Sequence, residues 1–323
     1  MSDLTLYPIF VRQGKRWDKY KVGYIASDGR LVVQPQFDQG LPFSEGLAAV
    51  SAAGKWGFID IFGDLVVPAK FEEADYFSDG RGLVRLGKYG FIDHTGSMLV
   101  PPKYDRAGNF SGGLAWVACG DKNNGFVNTR GEEIVPLMFE NARGFSEGLA
   151  AVCTGGRWGY IDDSGAFRIP PRFESKVAGA FVEGLARVAV ERTWGYIDQT
   201  GTMVIPPKFT MAYEFSEGLA AVEIDELAGY IDRSGKVAIE PKFKYTSPFS
   251  DGLARVSLPG GKNGFIDKHG EFAIPPIFGE SGRFRDGLCL VTTEDEIGYI
   301  NRSGEFVWRG PYVESRLGFD LRM

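Results

Sequence analysis

Seven acidic side chains recur in one setting, each directly before a glycine: Glu45, Asp79, Glu147, Glu183, Glu217, Asp251 and Asp286. Carboxylates brought together in pairs could hydrolyse a glycosidic bond, one as acid and the other as nucleophile or base. Recurrence argues against that use, because an active site normally occurs once in a chain. A second acidic set opens Asp-x-x-Gly segments such as Asp93-His94-Thr95-Gly96, Asp162-Asp163-Ser164-Gly165 and Asp198-Gln199-Thr200-Gly201. Calcium takes about six to eight oxygens, and each segment offers one carboxylate, or two at Asp162-Asp163. Turn chemistry is the better account: the Asp oxygen accepts backbone N–H bonds, as Asn128 and Asn301 can also do. His94 and His269 fall on two of these turn tips, far apart in sequence, which speaks against a catalytic triad or a zinc centre. Cys119, Cys153 and Cys289 have no metal-site spacing and read as free thiols, Cys289 within the core. No glycine-rich loop opens a helix, so no cofactor is expected.

Two further groups of side chains suit binding. Trp56, Trp158 and Trp194 form a ladder that could stack sugar rings or clamp a proline-rich peptide, unless each ring packs against a neighbouring segment. Arg85, Arg187, Arg255 and Trp116 occupy equivalent places in different parts of the chain. Arginine and tryptophan are enriched at binding hot spots, so these four are candidates for an anionic protein partner; the alternative is a solvated outer face.

The elements that must position these residues are repeats. Gly-aromatic-Ile-Asp or a close variant recurs with its glycine at Gly23, Gly57, Gly90, Gly125, Gly159, Gly195, Gly229, Gly264 and Gly298. A second signal, Phe-x-acid-Gly-Leu, recurs at Phe43, Phe145, Phe181, Phe215, Phe249 and Phe284. It is altered at Phe110 (no acid) and Phe77 (two added residues). A third, Pro-x-Phe or Pro-x-Tyr, closes units at Phe37, Tyr104, Phe173, Phe209 and Phe243, and is stretched by one residue at Phe71, three after Pro68. Three signals in one phase define nine copies of a unit of about 34 residues. Within residues 46–71, three short apolar runs bounded by glycine or proline predict three strands: 46–50, 55–60 and 65–67, the last stopped by Pro68. Asp-x-x-Gly joins the second to the third as a type I turn closed by a left-handed residue. Along the first strand, small residues and valines alternate with a variable position: Ala49, Arg85, Trp116, Ala151, Arg187, Ala221, Arg255 and Leu290. Period-two geometry puts the variable residues on the opposite face, where a repeat protein keeps its working surface.

The segments Gly-Lys-Trp-Gly-Phe-Ile-Asp at 54–60, Gly-Arg-Trp-Gly-Tyr-Ile-Asp at 156–162 and Thr-Trp-Gly-Tyr-Ile-Asp at 193–198 resemble the WG (KWG) repeat of bacterial proteins. The resemblance spans roughly residues 10–312. It implies a bacterial origin and a β-repeat fold, and it implies no common catalytic motif. The Trp position departs from the pattern at Tyr89, Asn124, Ala228, Asn263 and Ile297.

The chain has 323 residues, 44 of them glycine and 25 phenylalanine, which suits many tight turns and aromatic-packed short strands. Its net charge of -6 has no basic block, so no nucleic-acid footprint is expected. No leader and no apolar stretch long enough to cross a membrane are seen, and with the free thiols this leads us to expect a cytoplasmic protein. The expected architecture is all-β: one domain over 1–323, an open superhelical array of nine three-stranded units, with atypical capping units near 1–22 and 305–323. The alternative is a closed β-propeller, set aside because blades typically need four strands and about 40 residues. The expected function is a non-enzymatic scaffold for a protein partner, such as a toxin antagonist or regulatory subunit. The alternatives are carbohydrate or cell-wall binding through the Trp ladder and a hydrolase with one carboxylate pair.

Overall fold

The computed structural model describes residues 5–13, 20–174, 178–258 and 260–311. Within them the chain forms nine antiparallel sheets in sequence order, six of four strands and three of three. The sheet of residues 39–71 shows the plan: Gln39–Gly40, Ala48–Ala52, Lys55–Ile59 and Leu65–Phe71 pair in that order. We number these blades one to nine, at residues 6–37, 39–71, 73–104, 106–139, 141–173, 185–209, 211–243, 245–278 and 289–311.

The open array of three-stranded units is therefore corrected: the protein is a β-propeller of nine blades built on four-stranded sheets. The strand absent from the sequence-based plan is two residues long in five blades, as at Gln39–Gly40, Arg106–Ala107 and Met211–Ala212. It follows directly on the Pro-x-aromatic end of the unit before it and lies against the next strand, Gln39 opposite Ser51 and Gly40 opposite Val50. A strand this short needs no apolar run, and the two-residue hairpin after it saves further chain, so a blade fits into about 34 residues. In blade six the corresponding segment, 175–177, lies outside the described residues. In blade nine Ser281 makes a single bridge to Val291.

The last strand of each unit also differs from expectation. It runs on through its proline, Leu65–Phe71 through Pro68, and it lies at the sheet edge, where a missing N–H costs no ladder bond. Its register with the strand before it slips twice around the central aromatic, between Trp56 and Phe58 and between Phe58 and Ile59. This irregularity explains the glycine of the repeat signature. A Cβ on Gly57 would lie 2.4 Å from the Val67 carbonyl oxygen, and the same crowding, 2.4–2.7 Å, recurs at all nine copies from Gly23 to Gly298. Only glycine lets the two backbones approach this closely.

Between blades, one face meets the opposite face of the next. Leu83, Phe91, Val100 and Tyr104 of blade three pack on Phe110, Ala115, Val117 and Val127 of blade four. Tyr196, Ile205 and Phe209 of blade six pack in the same way on Phe215, Ala220, Val222 and Ile231 of blade seven. The small residues after the signature leucine, Ala48 through Ala254 and Cys289, make room for the aromatic of the preceding blade. That aromatic and the next blade's Phe-x-acid-Gly phenylalanine meet at 4.7–5.0 Å in eight pairs, from Tyr24–Phe43 to Phe265–Phe284, seven of them edge-on. Such a pair adds about 0.5–1.5 kcal/mol beyond its burial. Four of the tyrosines at this position donate their hydroxyl to a carbonyl of the next blade: Tyr24 to Leu41, Tyr160 to Gly179, Tyr196 to Tyr213 and Tyr230 to Ser247.

The chain packs as two compact units. Of the described residues, one holds 5–9, 21–26, 30–174 and 178–181; the other holds 10–13, 20, 27–29, 182–258 and 260–311. Pieces of blade one therefore belong with the last blades. A Cβ on Gly29, in blade one's hairpin turn, would meet the Val307 carbonyl oxygen of blade nine at 2.2 Å. The Phe10 carbonyl oxygen would lie 3.6 Å from a Cβ on Gly310. Turn glycines elsewhere sit likewise on the last strand of the blade before, Gly63 on Val33 and Gly235 on Ile205. An open array would leave Gly29 uncovered. Of the segments expected as caps, Leu6–Arg12 is a strand of the first blade, and residues 312–323 lie outside the described residues.

Replacing Gly195 with alanine forces its Cβ onto the Ile205 carbonyl, 2.5 Å away, and should cost about 1–3 kcal/mol of unfolding free energy. Gly218→Ala has open space at the Cβ and a positive φ, so it should be limited to the smaller cost of that backbone conformation. Denaturant melts of the two variants check this; equal losses would mean that the close backbone approach is not what the signature glycine serves.

Candidate functional site

The recurring acids lie in two-residue hairpins. In Ser44-Glu45-Gly46-Leu47 the serine and leucine exchange both backbone hydrogen bonds, and Glu45 and Gly46 both have positive φ, as a type I′ turn requires. All seven acids hold φ between 51° and 55°, a conformation that disfavours a side chain. Five of their carboxylates reach the next blade. The backbone N–H of Gly80 donates to Glu45, Gly113 to Asp79, Gly218 to Glu183, Gly252 to Glu217 and Gly287 to Asp251, at 2.7–3.2 Å. The serine before the acid donates across the same seam to the carbonyl of the next blade's phenylalanine. Ser44 reaches Phe77, Ser78 reaches Phe110, Ser146 reaches Phe181, Ser216 reaches Phe249 and Ser250 reaches Phe284, at 2.6–2.8 Å. Sequence reasoning missed these serines, although Phe-Ser-acid-Gly was their signal.

A further acid follows the closing aromatic of several units and accepts a backbone N–H from a hairpin 15 residues on: Asp38 from Ala53, Glu72 from Gly87, Asp105 from Gly120 and Glu140 from Gly155. The Asp-x-x-Gly segments are Asx turns, with the Asp93 Oδ1 accepting from Thr95 and Ser97. The Thr95 hydroxyl, with those backbone bonds, outweighs desolvation and holds the Asp93 carboxyl below the usual carboxylate range. Asn128 and Asn301 take the same bonds. His94 stacks on Phe77 at 4.5 Å with its Nε2 3.6 Å from Glu45, and the backbone N–H of His269 donates to the Asp267 carboxylate. Cys119, Cys153 and Cys289 are free thiols.

The variable strand positions are not uniformly a free face. Where the residue is small it is covered: Ala49, Ala151, Ala221 and Leu290 are at most 6% exposed. Where it is large it reaches the seam's edge. Arg85 is half-exposed in blade three; its guanidinium pairs with Glu72 and Glu73 of its own blade and lies 5.7 Å from the Tyr89 ring. Glu73, hydrogen-bonded by both the Tyr89 hydroxyl and Arg85, is held below its ordinary value. Trp116 is partly buried in blade four against the cluster of Phe126, Val135 and Phe139, and its indole fills the space over Gly108. Arg187 in blade six donates to Glu214 at 2.9 Å and to the Ala212 carbonyl at 2.6 Å, both in blade seven, and lies 5.0 Å from the Trp194 ring. Arg255 in blade eight donates to the Ser281 carbonyl beside blade nine. Burial, and after it the charge of Arg283, pulls its guanidinium below its ordinary value. The structure thus brings Arg187 and Trp194 together, and places Arg85, Trp116 and Arg255 in separate blades.

The tryptophans of the signature lie across from the closing aromatic of their own blade: Trp56 opposite Phe71, Trp158 opposite Phe173 and Trp194 opposite Phe209. Trp158 is 3% exposed, while Trp56 and Trp194 are half-buried. In blade four Asn124 fills this place fully buried, its Nδ2 donating to the Phe139 and Glu140 carbonyls.

Blades of this construction define the protein as a repeat β-propeller. The model of the WG containing repeat matches at residues 23–56, 56–88, 89–122, 125–158, 158–191, 194–227, 229–262 and 264–295, and the chain belongs to that family. No curated protein matches it. Among solved structures, one described as a eukaryotic initiation factor is similar over 96% of both chains, with 12% identity and a TM-score of 0.65. The dihydro-heme d1 dehydrogenase NirN, solved in complex with DHE, is similar over 95% of this chain and 73% of its own, with 16% identity and a TM-score of 0.51. At these identities the likeness is one of fold.

Desolvation pushes the Glu217 carboxyl up, but the Gly252 N–H and Lys268, 3.1 Å away, outweigh it and hold the carboxyl below its ordinary value. A lowered folded-state value stabilises above the unfolded value of about 4.3 and is lost as pH falls through the folded one. Glu217→Gln should therefore lower the melting temperature at pH 7 and flatten its decline between roughly pH 5 and 3. Melting curves across that range check it; parallel acid limbs for variant and parent would remove the seam role of this carboxylate.

Proposed function

We propose that this propeller is a non-enzymatic scaffold that recognises a protein partner through side chains differing from blade to blade. One observation carries the proposal. The groups that recur in the blades, serine hydroxyls, turn carboxylates, tyrosine hydroxyls and Asx turns, are engaged in hydrogen bonds within the fold. What varies between copies is the strand position that holds Arg85, Trp116, Arg187 and Arg255, and there the large side chains keep part of their surface in solvent. Arginine and tryptophan half-buried on a rigid frame are pre-organised for association, because little side-chain entropy remains to be lost. Carbohydrate binding by the Trp ladder has less support, since Trp158 offers no open ring face. Hydrolysis by a carboxylate pair has less support too, since five of the seven recurring acids hold a neighbouring blade. The free thiols suit a reducing compartment such as the cytoplasm.

The immobilised chain should retain one protein from its native cell extract at a fixed stoichiometry. Once that protein is purified, its affinity should fall at least about ten-fold for Arg85→Ala/Trp116→Ala/Arg187→Ala/Arg255→Ala with unchanged circular dichroism. A folded variant that binds the same protein equally well would refute the variable-position reading. Retention of glycans in place of protein would refute the scaffold itself.

A further inference from the structure

Two seams of the second compact unit can be compared residue by residue. In both, the variable position of one blade is arginine, and it donates to the backbone carbonyl three residues before the next Phe-x-acid-Gly phenylalanine: Arg187 to Ala212, before Phe215, and Arg255 to Ser281, before Phe284. The residue directly before that phenylalanine completes the first seam. It is Glu214, whose carboxylate accepts from the Arg187 Nε at 2.9 Å. In the second seam the same position is Arg283. The arginine side of the seat is therefore kept, and the sequence position of its built-in carboxylate holds a second arginine.

The surroundings offer no internal substitute. Among the described residues neither Arg255 nor Arg283 makes an ion pair; Arg255 is half-buried and Arg283 exposed. Among the described residues the Arg255 side chain hydrogen-bonds to a neutral carbonyl alone. Ser281, which supplies that carbonyl, also keeps a fully buried hydroxyl with no hydrogen-bond partner. Two like charges at a partly desolvated site repel, and an anion between them turns that repulsion into paired, charge-assisted hydrogen bonds. Guanidinium forks match the planar geometry of a carboxylate.

We infer that Arg255 and Arg283 form a binding seat for an external carboxylate, held where Glu214 is held by Arg187. The seat does not depend on the partner being a protein. A small organic acid and the acidic side chain of a peptide present the same group.

The test is calorimetric titration of the full chain at low ionic strength with two probes, succinate and a capped tri-glutamate peptide, each against sodium chloride of matched ionic strength. Binding of one equivalent of either probe beyond the chloride control is expected. Saturation by succinate identifies a small-acid seat, and saturation by the peptide alone identifies a partner's acidic side chain. Arg283→Glu refills the seat from within, as in the other seam, and should weaken binding at least about ten-fold while the protein stays folded. Glu214→Arg should create a second seat at Arg187 and raise the stoichiometry from one to two. Binding of neither probe above chloride, or equal binding by Arg283→Glu, overturns the inference.

Discussion

In each blade the last strand carries a carbonyl into the space where a side chain on the signature glycine would begin. The glycine is thus a condition of the sheet rather than a gap in it, and the rest of the blade follows. The close approach goes with two register slips around the central aromatic. Bulged pairing raises local twist, and twisted sheets can stack face against face as blades do. The slips also fix which face the central aromatic occupies. That aromatic meets a phenylalanine and a small residue of the following blade, so the glycine in one strand sets the packing of the next repeat. The proline in the edge strand belongs to the same arrangement: it adds no ladder donor on a side where none is wanted.

The seams between blades carry a local conflict and its compensation. Seven acids hold a left-handed conformation that glycine would hold without strain. Gly112 does so in the one copy that lacks the acid. Acids remain elsewhere because the strained turn aims a carboxylate at a backbone N–H of the next blade, while the serine beside it donates to a carbonyl there. Two bonds of opposite direction, one charge-assisted, fix the blades in register where the ring contacts alone would let them slide. A recurring carboxylate that looks catalytic when read as a string of residues is therefore a fastener.

Much of this was legible beforehand. The nine-fold phase, the Asx turns and the buried small residue after leucine each rest on local physics that one unit states completely. The fourth strand was not legible, because Gln39–Gly40 and its counterparts carry no apolar pattern; their pairing is dictated by the neighbouring strand and not by their own side chains. The variable strand face was legible only in part, for a related reason. Period-two alternation says that Ala49 and Ala48 point opposite ways, but not that both faces are covered, as they are once blades stack on either side. The choice between three strands and four decided whether the units stack as an array or as a propeller, so one short strand changed the architecture.

Nine copies of one unit in a single chain supply their own controls. Positions that are constant across copies answer to the fold, as the glycine and the aromatic pair do, and the serine–carboxylate latch serves the fold in the copies that carry it. The proposed function draws on places where equivalent positions hold different chemistry in the same geometry. Arg187 with Glu214 and Arg255 with Arg283 are the sharpest such contrast. The first seam neutralises its arginine internally, as a partly buried charge requires. The second places like charge on like charge at the same distance from the repeat signature. A fold that can close this seat with a glutamate, and does so two blades earlier, has no packing reason to leave it cationic. The excess charge is then best explained by something that arrives from outside the chain.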